Sequence, residues 1–191
     1  MRCSPFTAVY DACVLYPAPL RDLLVWLGMS GRFRARWTQQ IHEEWKRNLL
    51  INRPDLTRAQ LDATSAAMDR AVADSMVSNH ESLIEGLVLP DPDDRHVLAA
   101  AIRCNASVIV TFNLRDFPAE ALDPFCIEAQ HPDEFIDNLM DLDMGVVLKA
   151  AQNQRRTLKR PPVNADDLLQ TFVKVGLTRT AKALSAFKSV L

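Results

Sequence analysis

The chain has 191 residues, 48% of them hydrophobic, four cysteines and a formal net charge of −2. That supplies apolar matter for one domain with its own core, with room for an appendage. No apolar run approaches the roughly 20 residues that cross a bilayer, and residues 1–5 lead into a short strand rather than a signal-peptide core, so a soluble cytoplasmic protein is expected. Cys3, Cys13, Cys104 and Cys126 lack CxxC spacing, which favours buried free thiols over disulfides or zinc.

Along the chain, residues 6–10 read as a strand, and Leu20, Leu23, Leu24 and Leu27 mark a helix ended by Gly28 or Gly31. Residues 33–37 form a short strand. Thr38 caps the next helix, whose apolar stripe is Ile41, Trp45 and Leu49, with Glu44 on the same side; Pro54 breaks it. Thr57 with Gln60 makes a capping box for an Ala-rich helix over about residues 58–77, interrupted near Asp74 or continuous, and polar enough to be an arm or lid. Leu87-Val88-Leu89 reads as a short strand stopped by Pro90. Asp91-Pro92-Asp93-Asp94 then opens a helix with the stripe Val97, Leu98 and Ala101. Val108, Ile109 and Val110 are consecutive, as in a central strand buried on both faces. A loop with Pro118 and Pro124 leads to a last strand at 126–129. This βα alternation predicts a parallel, three-layer α/β/α sandwich. Beyond Pro132 the pattern is helical only: 133–140, 144–158, a third helix from Asn164 to Gly176, and a last one capped by Thr178 with Ala181, Leu184, Phe187 and Leu191 in helical register. The expected organisation is an α/β domain over 1–135 and an all-helical C-terminal extension over 136–191.

Four carboxylates stand where a core would not place them. Asp11 closes the first strand, Glu44 interrupts an apolar stripe, and Asp94 lies on the inward side of a helix start, where the dipole favours its charge. Asp116 follows the central strand. The strand-end pair belongs to the sheet edge where α/β proteins bind ligands. Converging carboxylates raise one another's pKa, so the cluster is credible mainly around a divalent cation. Metal-assisted hydrolysis of a phosphodiester is the chemistry such a site suits. Each residue also has a plainer reading: Asp11 as a turn former, Asp94 as an N-cap, Asp116 as the cap of a one-turn helix, Glu44 as the partner of an Arg. The four histidines read as surface or structural, and Trp26, Trp37 and Trp45 as core.

Taken together, Val9-Tyr10-Asp11-Ala12-Cys13-Val14-Leu15, Thr38-Gln39-Gln40-Ile41-His42-Glu43-Glu44, Asp93-Asp94-Arg95-His96-Val97-Leu98-Ala99-Ala100-Ala101 and Val110-Thr111-Phe112-Asn113-Leu114-Arg115-Asp116-Phe117 resemble the PIN-domain nucleases. The resemblance covers about residues 5–135. It is closest to the VapC-type toxins of bacterial toxin–antitoxin pairs, and the tail with Leu158-Lys159-Arg160-Pro161-Pro162 is similar to an extension in one branch of them. The resemblance implies a metal-dependent endoribonuclease using Mg²⁺ or Mn²⁺, an RNA substrate and a cognate antitoxin protein, and it leaves a homodimer open. Carried over by motif, Asp11, Glu44, Asp94 and Asp116 would be catalytic, with Asp11, Asp94 and Asp116 on the metal; Thr111, Asn113 and Asp93 would be accessory. Asn113 stands where many relatives have Asp, so either it or Asp116 can face the metal.

From residue 135 onward nine Lys or Arg stand against five Asp, so the tail carries +4 and the rest −6. Its basic block, Arg155, Arg156, Lys159 and Arg160, could meet RNA phosphates or be a solvated helix end. Other acidic α/β classes fit less well. A haloacid-dehalogenase-type phosphatase needs an Asp where Cys13 stands, and a receiver domain needs a paired acidic start and a late Lys. Flap nucleases are longer. A non-catalytic PIN-like module that binds RNA or protein is the remaining alternative.

Overall fold

The computed structural model describes residues 6–159 and 161–191; Cys3 and Arg160 lie outside them. The centre of the sheet is β1 (Thr7–Tyr10), whose four side chains are all buried. It pairs in parallel with β2 (Arg34–Arg36) on one side and β3 (Val108–Val110) on the other, and β4 (Glu128–Gln130) continues in parallel beyond β3. The spatial order is β2-β1-β3-β4. Every strand therefore ends at the same edge, and a residue just after β1 meets one just after β3.

Helices cover the sheet: α1 (Ala12–Leu15), α2 (Ala18–Gly28), α3 (Gln39–Asn52), α4 (Arg58–Ala71), α5 (Glu81–Ile84), α6 (Arg95–Arg103) and α7 (Ala119–Leu122). Their starts follow sequence chemistry. Thr38 accepts the Ile41 N–H, and Thr57 with Gln60 forms the expected reciprocal capping box. The α4 helix is shorter than expected; it stops at Ala71, and Asp74 sits in the left-handed region at φ 57°.

Residues 87–89 are not a strand. Their burial alternates, with Leu87 and Leu89 inside and Val88 85% exposed. Leu87 and Leu89 pack into the core, but among the described residues the segment has no ladder partner in the sheet.

The C-terminal helices are α8 (Pro132–Thr157), α9 (Ala165–Lys174) and α10 (Thr178–Ser185). The two helices expected over 133–158 run as one, broken by a non-helical Asp143 (φ −162°, ψ 88°). The α8 helix begins before the expected division at residue 135 and enters the domain core. Phe135 meets Phe33 edge to face at 5.2 Å and Tyr10 at 6.3 Å, contacts worth about 0.5–1.5 kcal/mol each beyond area burial. Thr178 does not cap α10 with its own side chain. The Asp133 carboxylate does, accepting the Arg179 and Thr180 N–H groups and the Thr180 hydroxyl at 2.8, 2.9 and 2.8 Å.

Candidate active site

Asp11 follows β1, and its N–H still donates to Val110 O (3.1 Å), so the backbone keeps the ladder while the side chain turns out at the strand end. Its buried carboxylate accepts the Thr111 hydroxyl (2.7 Å) and the Cys13 thiol (3.0 Å). The same two groups hold the loop after β3: Thr111 Oγ1 accepts the Asn113 N–H (2.9 Å) and Cys13 Sγ the Phe112 N–H (3.2 Å). Burial pushes the Asp11 carboxyl up; the Cys13 and Thr111 donors oppose that, and the Glu44 charge adds to it. Burial, then the Asp11 charge, drives Cys13 far above the ordinary thiol range, so it is a donor here and not a nucleophile.

Asp94 shows most directly that negative charge is concentrated at this edge. Its carboxyl is pushed up to about 7, first by burial and then by Asp11, Asp91, Asp116 and Glu44. Its side chain makes no cap hydrogen bond, because Asp91 takes that work by accepting the Asp93 N–H (2.9 Å). Asp93 is exposed, whereas Asp94 is half-buried. On α3 the register separates two neighbours: Glu43 pairs with Lys46 (2.9 Å) and Arg58 (2.6 Å), while Glu44 turns to the acidic edge with Oε2 3.2 Å from His96 Nε2. Asn113 is exposed and precedes a 3₁₀ turn over Leu114–Asp116; the half-buried Asp116 donates its N–H to Asn113 O (3.0 Å).

Asp11, Glu44, Asp94 and Asp116 thus act on one another electrostatically, and among the described residues none of them pairs with Lys or Arg. Nor, among the described residues, do three His, Cys, Asp or Glu side chains stand close enough to enclose an ion as they lie. The donors are all hard carboxylate oxygens with uncompensated charge, which is a set that fits a divalent cation and no softer group.

The basic block is placed elsewhere. Arg155 is turned onto its own chain, with Nε on Leu191 O (2.7 Å) and Nη1 on Val163 O (3.2 Å), so its guanidinium serves packing. Arg156 and Lys159 are exposed, and Arg160 lies outside the described residues.

Two residues at the site were not singled out as functional in the sequence. Cys13 lies two residues past Asp11, and the single turn of α1 brings it back over the strand end. His96 had only its spacing from Asp94 to mark it. His42, His80 and His96 are all buried and none is a surface residue. His42 accepts from Trp45 Nε1 (3.0 Å) and bonds Asp69 (2.9 Å), and burial lowers its pKa, so it is a neutral core group.

Residues 7–115 match the family model described as PIN domain, which is more than half of the chain. The chain belongs to the PIN-domain family. Residues 132–186 of this PIN-domain protein match the VapC50 C-terminal domain, the region of α8, α9 and α10. A relative from Mycobacterium tuberculosis, named "Putative ribonuclease VapC50", is 59% identical over 96 residues, covering 50% of this chain and 57% of the relative. The match therefore spans little more than half of that protein's length. No solved structure matches the chain. The fold agrees with the family: a four-stranded parallel sheet between helices, followed by a helical region, in a VapC-type PIN domain with a C-terminal extension. Among the described residues no helix is long and apolar enough to cross a membrane.

Proposed function

We propose that this protein is a metal-dependent endoribonuclease, the toxin of a toxin–antitoxin pair, hydrolysing RNA phosphodiester bonds at the acidic edge with Mg²⁺ or Mn²⁺. The observation that carries the reading is Asp94, a half-buried carboxyl raised to about 7 first by burial and then by the charges of Asp11, Asp91, Asp116 and Glu44, with no Lys or Arg paired to the cluster among the described residues. A protein keeps such a repulsive arrangement when a hard cation relieves it. The relative's name, a putative ribonuclease, supports RNA as the substrate class.

Asp11, Asp94 and Asp116 would hold the ion. When bound, it would acidify a water and offset charge gathering on the phosphate. The chain's own residues supply the geometry. Thr111 and Cys13 fix the Asp11 carboxylate by donating to the same oxygen, which leaves its other oxygen without a side-chain donor among the described residues. Glu44, which His96 contacts, would accept a proton from the attacking water. Asn113, exposed at the loop, would offer a neutral amide to the RNA, and the exposed Asp93 would be a further polar contact. Arg156 and Lys159 are exposed cations that would attract the phosphate backbone. The cognate antitoxin would cover this edge with a cation that the cluster lacks, as an Arg bonding carboxylates does.

The test is purified protein with RNA and Mn²⁺. Cleavage by the wild type, abolished in Asp11→Asn and by chelation, supports the reading, as does growth arrest on expression of the wild type alone. RNA binding of equal strength in both forms without cleavage would instead make the chain a non-catalytic module.

A further inference from the structure

The acidic edge and the helical extension meet at Phe112. Gly176 ends α9 at φ +87°, a left-handed conformation that glycine adopts without strain. A Cβ there would stand 3.4 Å from Phe112 Cε1 and 3.9 Å from His131 Cε1, so the turn between α9 and α10 lies directly against both rings. Phe112 also meets His131 edge to face, with centroids 5.2 Å apart and an interplanar angle of 68°. His131 Nδ1 accepts the Asp133 N–H at the start of α8 (3.2 Å), and Asp133 holds the first turn of α10 through three hydrogen bonds. On its other side the Phe112 N–H donates to Cys13 Sγ, whose thiol donates to Asp11. One unbroken run of contacts therefore joins α10 to the Asp11 carboxylate.

The loop needs such support. Asn113, Leu114 and Arg115 are exposed, and a three-residue 3₁₀ turn has few bonds of its own to hold it. The one carboxylate it carries, Asp116, also bears on Asp94 as a like charge, which works against holding the loop in place.

We propose that the α9–α10 pair is a positioning element of the acidic site: Gly176 and His131 clamp Phe112, and the clamped ring holds residues 111–116 in register with Asp11. The geometry stands by itself, and its catalytic consequence rests on the nuclease reading above. The extension would then be part of the site's framework, in addition to any contact it makes with RNA.

Three full-length variants test this: Phe112→Ala, Phe112→Leu, and Asp133→Asn, which lies outside the acidic set and weakens only the cap of α10. Hydrogen exchange at the Phe112 and Asn113 amides should quicken in Phe112→Ala and Asp133→Asn relative to the amides of β3. Mn²⁺ affinity, measured by calorimetry, should fall roughly ten-fold or more, as when a partner that orients a ligand is lost, and Phe112→Leu should recover part of both. If the variants lose thermal stability while those two amides exchange in step with β3, the extension only packs on the domain and the proposal is wrong. A wild type that binds no Mn²⁺ would refute the metal reading separately, because the exchange data still decide whether the clamp exists.

Discussion

Glu43 and Glu44 are adjacent on α3, yet they belong to two charge clusters of opposite design. Glu43 sits in a balanced one: Lys46, fully buried, reaches Glu43 and Asp62 at 2.9 and 2.8 Å, and Arg58 reaches the same two carboxylates at 2.6 and 2.9 Å. These pairs fasten α4 to α3, and hydrogen bonds from Lys46 and Arg58, aided by their charges, hold Glu43 and Asp62 below the usual carboxylate range. Glu44 faces a cluster in which burial and mutual repulsion push Asp11 and Asp94 the other way. The direction of the pKa shift separates them: charge that is compensated within the chain holds structure together, and charge left uncompensated awaits something from outside.

The most severe way to break the contrast is to neutralise the uncompensated side. Asp94→Asn should lower metal-dependent RNA cleavage by on the order of 100-fold or more, the scale for losing a group that stabilises transition-state charge. It should also raise the melting temperature without metal, since it removes repulsion; a lower melting temperature would place Asp94 with the structural residues.

On the balanced side, Lys46→Ala should cost about 2 kcal/mol of stability, typical for buried hydrogen bonds to charged groups. Denaturant unfolding measures it, and Mn²⁺ affinity should stay as in the wild type. A variant that keeps its stability but loses metal would show that the two clusters are coupled through α3.

His96 lies at the border between them as the partner of Glu44. Replacing it with Leu should reduce cleavage by roughly ten-fold, and His96→Gln, which retains a donor, should recover much of that. Equal rates in the two variants would mean that the contact with Glu44 is incidental.

pH sharpens the comparison further. The folded Asp94 titrates near 7 while an unfolded Asp titrates near 3.8. Between those values the unfolded chain has released a proton that the folded chain retains. Rising pH from about 4 to 7 therefore erodes the stability of the metal-free protein, with the full loss present above 7. Metal competes with that proton, so Mn²⁺ affinity should climb over the same window. Asp94→Asn should flatten both curves, which thermal melts and calorimetry across pH would reveal.

The smallest effect concerns the exposed cations of the extension. Arg156→Gln with Lys159→Gln should lower the salt slope of RNA binding by about 1 to 1.5, the value for two phosphate contacts on a single strand. Arg155, engaged with Leu191 and Val163, should instead affect stability. An unchanged slope would leave RNA binding to the domain itself.

Local chemistry was legible in the sequence wherever a short stretch contains all the partners. Thr38, Thr57 with Gln60, and Asn164 accept the N–H groups that helix starts leave open, and Gly176 takes the left-handed turn at a helix end. The apolar triplet Val108-Ile109-Val110 is buried within the sheet, as consecutive β-branched residues demand. Leu87-Val88-Leu89 carried the same kind of signal and forms no strand. A strand needs a ladder partner, and which segments reach the sheet is a property of the whole fold. The α10 cap failed similarly, because Asp133, far away in the chain, is a better acceptor for that helix start than Thr178.

By itself, then, the sequence determined the alternation of strands and helices, the parallel sheet that follows from it, and the four positions where carboxylates interrupt apolar patterning. Those are matters of periodicity and short-range bonding. Only the tertiary structure decided that Glu43 is neutralised and Glu44 is not, that Cys13 and Thr111 share the Asp11 carboxylate, that His96 meets Glu44, and that Gly176 closes on Phe112. Each of these joins segments distant in the chain, and no local preference encodes such a distance. It is the parallel sheet, ending all its strands at one edge, that turns scattered acidic residues into a single electrostatic site.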